Sequence, residues 1–477
     1  MLQLTKDKKI LLLLSFSEMW ERFSYYGMRA LLVLYLITQL GFDDPQAYAL
    51  YAFFASIGYL GCLGFGYLSD HFFGPRYLVM LGGSIMMLGH LLMAFSFLDN
   101  IFLFIGLALI AIGTSAFKGN ITNILGLAYN HLNLSHEKDK AYIFFYAMLN
   151  LGGLLASIIC GTIGMKYSWH LGFGIAAIGM AIGLTVFYYL DKNLLGKIAQ
   201  TKKPSKKNYL FLTLGIIAYI LLITLGMMEA QTAIELVKYF GLIFIVYYFY
   251  IIYQSNKVER VNLLIILVLL VFFVVFYALE MQTGSLIVLF ASRNVDLQVG
   301  NYEIAAATVD SINPLVVMIL GFITYFLIKK NKKDSFVFRF ALGLSMMPLS
   351  FGLLYLGTFF VINNKVSLIY LVVSMSLMAF GEIFIGPIIQ SKASDLSPAK
   401  RRGLVFGFMM FSASYANIVG NFAAKYMSVE KVDGKIDLAH SLLIYQEGFL
   451  KVIQVTFIAL IIFLIISPIF AKAKKIV

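Results

Sequence analysis

SEMWERFSYYGMRALL, residues 17–32, sets Glu18, Glu21, Arg22 and Arg29 inside a run that is otherwise apolar on both sides. Its flanks are ILLLLSF at 10–16 and LLVLYLI at 31–37. The whole exceeds the roughly 20 residues that a helix needs to cross a bilayer. Counted from Glu18, the residues Glu18, Glu21, Arg22, Tyr25 and Arg29 fall at offsets 0, 3, 4, 7 and 11. A helix therefore gathers them on one face. Each charge at a helix centre costs about 2.5–3.5 kcal/mol on insertion scales. Such a face is tolerable only where it looks into a wet cavity or at partners. The competing reading is a structural ion-pair cluster, but four charges in one span exceed what a packing device needs. The stretch implies an ion-coupled solute carrier.

The rest of the chain agrees with a membrane setting. It is 61% hydrophobic and only 13% charged, whereas a soluble domain carries roughly 25% charge. Fourteen apolar spans are expected, from 10–40 to 446–471, with the ninth at 262–291 and the tenth at 302–328. No soluble domain is expected. MLQLTKDKK leads into an apolar run too long for a signal peptide and lacking a small-residue cleavage site. The net charge of +13 would suggest nucleic acid in a soluble protein. Here the bases fall in alternate short loops: Lys6, Lys8 and Lys9; Lys192, Lys197, Lys202, Lys203, Lys206 and Lys207; Lys257 and Arg260; Lys329, Lys330, Lys332 and Lys333; Lys400, Arg401 and Arg402; Lys472, Lys474 and Lys475. The positive-inside bias then puts both termini in the cytoplasm, which requires an even number of spans. Cys62 and Cys160 sit in apolar runs and suggest neither a disulfide nor a metal site.

The basic segment 191–208 divides the chain. The expected organisation is an N-terminal six-helix bundle at 1–190, a basic linker with an inserted helix hairpin at 191–260, and a C-terminal six-helix bundle at 261–477. The hairpin helices have almost no polar residues inside them, as suits lipid or passive packing. The fold class is all-α membrane, and six plus six is the plan of major-facilitator carriers, with a midplane site between halves.

Depth along the helices suggests partners, at about 1.5 Å per residue. Glu21 and Lys118 lie roughly 16 and 15 Å from the same end of their spans, and Arg29 and Glu280 match in the same way from the other end. Glu21–Lys118 and Arg29–Glu280 are the pairs expected. The buried acids are Glu18, Glu21, Glu280 and Glu382, and the buried bases are Arg22, Arg29 and Lys118. Four against three leaves one carboxylate over, which is what proton coupling needs. Glu18 or Glu382 is the candidate, although Glu382 also suits a substrate ammonium. Asn150 and Asn313 are mid-span amides, read either as substrate contacts or as interhelix hydrogen bonds. Tyr25, Tyr26 and Tyr59 suit a ligand, but tyrosine is frequent here. His90 reads as structural, Asp70 as a loop fastener, and Gly61, Gly64 and Gly66 as sites of close helix packing. No GxxxxGK[ST] loop is present, which disfavours an ATP-driven pump.

At these residues the sequence resembles the proton-dependent oligopeptide transporter (POT) family of the major facilitator superfamily. EMWERFSYYG at 18–27 matches its ExxERFxYY signature, GYLSDHFFGPR its loop after the second helix, FYAMLNLGGL its FYxxINxGSL segment and FGEIFIGPIIQSKASDLSP its GELxxSP segment. The resemblance implies a proton-coupling set of Glu18, Glu21, Arg22, Lys118 and Glu280. It implies a substrate set of Arg29 for the peptide carboxylate, Asn150, Asn313 and Glu382 for the amino group, and pocket tyrosines Tyr25, Tyr26 and Tyr59; by charge, Lys118 joins Arg29 as the cationic pole for a zwitterionic peptide. Leu149, Gly153, Gly119, Phe276, Met409 and Gly386 depart from the family pattern at or near the presumed pocket.

The expectation is a secondary active symporter that imports di- and tripeptides with protons by alternating access. Its alternatives are a carrier of nitrate or a modified amino acid, and a non-transporting peptide receptor. No catalysis, metal or cofactor is expected beyond the coupling proton, and no nucleic acid. The expected setting is a bacterial inner membrane, with the monomer as the working unit.

Overall fold

The computed structural model describes residues 5–134, 137–199, 204–327, 336–398, 401–431 and 435–472. Of the bases counted above, Lys202, Lys203, Lys329, Lys330, Lys332, Lys333, Lys400, Lys474 and Lys475 lie outside the described residues.

The described chain is helical nearly throughout. Its helices are α1 (Lys6–Thr38), α2 (Asp44–Leu68), α3 (Pro75–Ala94), α4 (Ile101–His131), α5 (Lys138–Lys166), α6 (Trp169–Leu195), α7 (Lys206–Met228) and α8 (Ala230–Tyr253). There follow α9 (Lys257–Glu280), α10 (Leu286–Asn294), α11 (Ile312–Leu327), α12 (Phe336–Gly357), α13 (Leu368–Leu396), α14 (Arg402–Tyr426) and α15 (Leu438–Ile466). Among the described residues, twelve helical segments are long and apolar enough to cross a membrane. The charged α1 and the 16-residue α11 are not among them. At 33 residues, α1 is roughly 50 Å long and outreaches the ~30 Å hydrocarbon layer.

Local chemistry sets the helix ends. Asn256 and Glu259 form a reciprocal capping box at the start of α9. Asp437 Oδ1 accepts from the Ala439 N–H at the start of α15, at 2.9 Å. After α2 the chain makes one π-helical turn, Ser69–Phe73, and then Gly74 takes φ +78° so that Pro75 can open α3.

Two expected spans are corrected. The span at 262–291 is broken: α9 ends at Glu280, Met281–Gly284 form a 3-10 turn, and α10 restarts at Leu286. The polar run Gln282–Ser285 allows it, with Ser285 Oγ donating to Gln282 Oε1 at 2.7 Å. The span at 302–328 is helical only from Ile312. Gln298–Val299 and Tyr302–Glu303 pair as a small antiparallel hairpin around Gly300 at φ +61°, and Ala306–Ser311 form a 3-10 turn. A count of apolar residues reads straight through both breaks.

The chain forms two compact units. One comprises Met1–Tyr35, Ile57–Glu229 and Ala307–Met318, the other Leu36–Ser56, Ala230–Ala306 and Ile319–Val477. In the first, α3 and α4 meet at two reciprocal glycine pairs. A Cβ on Gly82 would lie 2.7 Å from the Gly113 carbonyl oxygen, and one on Gly89 would lie 2.6 Å from that of Gly106. Backbones this close leave dispersion contact with nothing between them. In the second unit Gly343 and Gly381 join α12 to α13 in the same way. Gly113→Ala is expected to lower stability by about 1–3 kcal/mol through overpacking. Gly352→Ala, where a Cβ meets nothing within 4 Å, should be neutral or gain up to about 1 kcal/mol. Equal melting temperatures for the two variants in detergent would show that the α3–α4 seam is not tight.

Candidate functional site

The charged face of α1 survives as a buried cluster. Glu18, Glu21 and Arg22 are 1%, 0% and 2% exposed. Arg22 lies between the two acids and treats them unequally. It holds Glu21 with two hydrogen bonds, from Nε to Oε2 and from Nη2 to Oε1, the latter at 2.7 Å. Glu18 Oε1 stands 3.3 Å from the Arg22 Nε, and its Oε2 has no hydrogen-bond partner among the described residues. The sequence placed all three on one face. It did not say which acid the guanidinium would grip.

Lys118 on α4 was expected to pair with Glu21. Depth matching found the right neighbourhood and the wrong bond. Lys118 acts on both Glu18 and Glu21 through its field, but no Lys118–carboxylate pair within 4.0 Å occurs among the described residues. Its ammonium sits 4.3 Å above the ring of Tyr59 instead. Arg22 and Arg29 are treated alike. The Arg22 guanidinium lies 5.4 Å from the Tyr25 ring centre and that of Arg29 lies 5.2 Å from the Tyr26 ring centre. Each cation of this unit's site is thus faced by one of the three tyrosines, at about 0.5–2 kcal/mol per contact. The rings lower the cost of burying charge, a role that tyrosine frequency alone did not suggest.

Arg29 brings in a residue that the sequence reading passed over. Its Nη2 is 4.0 Å from Oδ1 of Asp310, which is 3% exposed in the 3-10 turn before α11. Asp310 belongs to the same compact unit as Arg29. With Glu18 and Glu21 it makes three acids in this unit's site, against the cations Arg22, Arg29 and Lys118. No local signal marks Asp310, because its position depends on the break in the expected tenth span.

The remaining candidates are placed as follows. Asn150 is buried in α5 and donates through Nδ2 to the Tyr146 carbonyl at 2.9 Å. Asn313 is buried at the start of α11. Glu280 is buried at the last residue of α9, where the helix breaks, and Glu382 is half-buried in α13. Gly153 and Gly386 each make room for an aromatic side chain. A Cβ on Gly153 would lie 3.3 Å from the Tyr26 ring, and one on Gly386 would lie 2.9 Å from the Tyr277 hydroxyl. These glycine departures therefore set where two rings stand. Phe276 is buried against Gly381. Asp70 is exposed in the turn after α2, and Arg76, in the first turn of α3, pairs with Asp191 at 2.5 Å and donates to the Gly196 carbonyl at 2.9 Å. His90 is fully buried, with neither ring nitrogen hydrogen-bonded among the described residues.

A second buried cluster, in the other unit, was not anticipated. Arg293 on α10 grips Asp44 at the start of α2 with two bonds, of 2.6 and 2.7 Å. Asp44 also accepts from the Val429 N–H at 2.9 Å, and Arg293 donates to the Tyr445 hydroxyl at 3.3 Å. Beside it Asn294 donates to the carbonyls of Asn364 and Leu438 and accepts from Ser441. Asp44 lies in the first turn of its helix.

Comparisons with known proteins converge on one group. A family profile described as the POT family (PTR2) matches residues 76–439. An uncharacterized transporter of Bacillus subtilis (strain 168), YclF, is 34% identical over 403 residues, 81% of each chain. A di-/tripeptide transporter of Lactococcus lactis subsp. lactis (strain IL1403) is 30% identical over 420 residues, 81% of this chain and 83% of that one. Among solved structures, a mutant of the peptide transporter POT in complex with alafosfalin superposes with TM-score 0.83 at 28% identity, covering 98% of this chain and 96% of that one. Tetrameric PepTSo2 gives TM-score 0.86 at 23% identity, covering 98% and 100%, which speaks to the fold. The profile match begins beyond the signature of α1, so the two signals are independent.

Proposed function

We propose, from the premise that this chain belongs to the POT family, that it is a proton-coupled symporter importing di- and tripeptides by alternating access. The observation that carries the proton half is the unequal grip of Arg22. Glu21 is held by two hydrogen bonds, while one oxygen of buried Glu18 has no hydrogen-bond partner among the described residues. Glu18 is the proton carrier in this reading, with Glu21, Arg22 and Lys118 setting its field and Glu280 as a second proton-linked acid. The peptide half is supported by the named relatives and by charge. A zwitterionic peptide needs a cation for its carboxylate and an acid for its ammonium. Arg29 and Lys118 take the first role, and Glu382 with Asn150 and Asn313 takes the second. Tyr25, Tyr26 and Tyr59 position the three cations. Inward proton movement supplies about 2.3 kcal/mol per charge for each 100 mV.

The chemistry asks for no cofactor and no covalent step. We place the chain in the bacterial inner membrane with both termini cytoplasmic, on the strength of its basic loops. One chain is the working unit in this reading, because every residue named belongs to it.

The test is uptake by purified protein in liposomes. A labelled dipeptide should accumulate when the outside is acidified, and a protonophore should abolish the accumulation. Uptake that ignores the pH gradient would sink the coupling. Dipeptide-independent uptake of nitrate would move the substrate to the first alternative, and saturable binding without uptake would make the chain a receptor.

A further inference from the structure

Along α2 and α7 runs a cavity of about 540 Å³, open to the outside of the first unit. Its walls include Gly64, Phe65, Leu68, Phe211, Gly215 and Ile216. The volume falls within the about 300–1,000 Å³ of small-ligand sites. The glycines open it. A Cβ on Gly64 or Gly215 would meet nothing within 4 Å, whereas one on Gly61 would meet Ser115 of α4. Gly64 was expected to bring helices together, and here it keeps two walls apart.

Length and position identify the occupant. Along α7 the lining runs from Asn208 to Tyr219, which is 11 residues or roughly 16 Å. That is about half of the ~30 Å hydrocarbon layer, the depth of one leaflet. Only 22% of the most apolar window of α7 is buried within the protein, so the helix faces lipid. Water gains nothing in such a groove and a hydrocarbon chain does.

The outer end is chemically different. Asn208 lines it, and the Lys207 ammonium stands 5.6 Å from the ring of Phe211, one of the wall residues. Lys206 and Lys207 form the first turn of α7 and are exposed. Ser205 caps the helix by accepting from the Asn208 N–H at 3.3 Å. An ammonium group and a helix start at the head of a one-leaflet apolar groove call for an acyl chain joined to an anion. We propose that this groove binds one anionic glycerophospholipid, with an acyl chain against Gly64 and Gly215 and its phosphate at Lys207. The inference rests on membrane embedding and is independent of the substrate. The deep end of the groove touches Gly61, whose neighbour Ser115 lies one helix turn before Lys118. The lipid therefore braces α2 and α7 against the helix that carries a site cation.

The experiment follows lipid retention by the full chain. Protein in mixed micelles with phosphatidylglycerol or phosphatidylcholine is stripped stepwise, and the lipid kept per chain is read by native mass spectrometry. The parent should keep one phosphatidylglycerol, with a roughly 5-fold preference over phosphatidylcholine from about 1 kcal/mol for the lysine. Lys207→Gln should bring that preference close to one. Gly64→Leu with Gly215→Leu should lose the retained lipid of either kind, with a circular dichroism spectrum like the parent's. Equal retention of the two lipids by the parent would overturn the proposal, as would unchanged retention by the filled variant. A filled variant that changes oligomeric state and keeps its lipid would assign the groove to a second copy of the chain.

Discussion

Glu18→Gln is expected to abolish pH-driven dipeptide accumulation in liposomes while leaving counterflow exchange at least partly intact. The change keeps shape and removes only the titrating proton. Glutamine still offers an oxygen to Arg22, whose two hydrogen bonds to Glu21 are untouched. Fold and substrate binding should persist, and the link to the gradient should not. At 100 mV one coupled proton supplies about 2.3 kcal/mol, a roughly 50-fold accumulation, and the variant should lose all of it. Glu21→Gln makes an informative contrast. It weakens the paired bonds that hold Arg22 in a buried site, so its loss should include lower stability and lower counterflow. Gradient-driven accumulation by Glu18→Gln equal to that of the parent would remove Glu18 from the proton path.

The second large effect is expected at Asp44 and Arg293. Arg293→Met leaves Asp44 buried at 2% exposure, with the Val429 N–H as its remaining described partner. Stripping one member of a buried pair costs about 3–5 kcal/mol, because the other charge stays uncompensated. Asp44→Leu should cost a similar amount by stranding the guanidinium. The double variant Asp44→Leu with Arg293→Met removes both charges. It should recover most of the loss and sit within about 1–2 kcal/mol of the parent. The measurement is a double-mutant cycle on melting temperature in detergent. Additive losses would show that the pair, at 2.6 and 2.7 Å, contributes nothing as a pair.

Much of the fold was legible because its signals are local. Apolar runs of bilayer length and basic loops depend on residues a few positions apart. The misread segments are those whose shape depends on something distant or on a short polar break. The expected ninth span hid the turn at Met281–Gly284, and the expected tenth hid the hairpin around Gly300. A hydropathy count averages over such breaks. The site was legible in the same proportion. Helical spacing grouped Glu18, Glu21, Arg22 and Arg29, and the depth match brought Lys118 near them. The ring over Lys118 could not be read, since its contact with Tyr59 joins two helices.

By itself the sequence determined that α1 carries a charged face through a membrane, since spacing along one helix is a local property. It also determined the resemblance to a proton-dependent carrier, since the signature lies within that same turn sequence. Only the tertiary structure decided how the charges are shared. It gave Arg22 to Glu21 more than to Glu18, set Asp310 beside Arg29, locked Asp44 to Arg293, and made Gly64 a wall of a groove in place of a packing seam. The physical reason is common to all four. A buried charge or an absent side chain takes its meaning from what stands across from it, and that neighbour comes from another part of the chain or from the rotamer that packing selects.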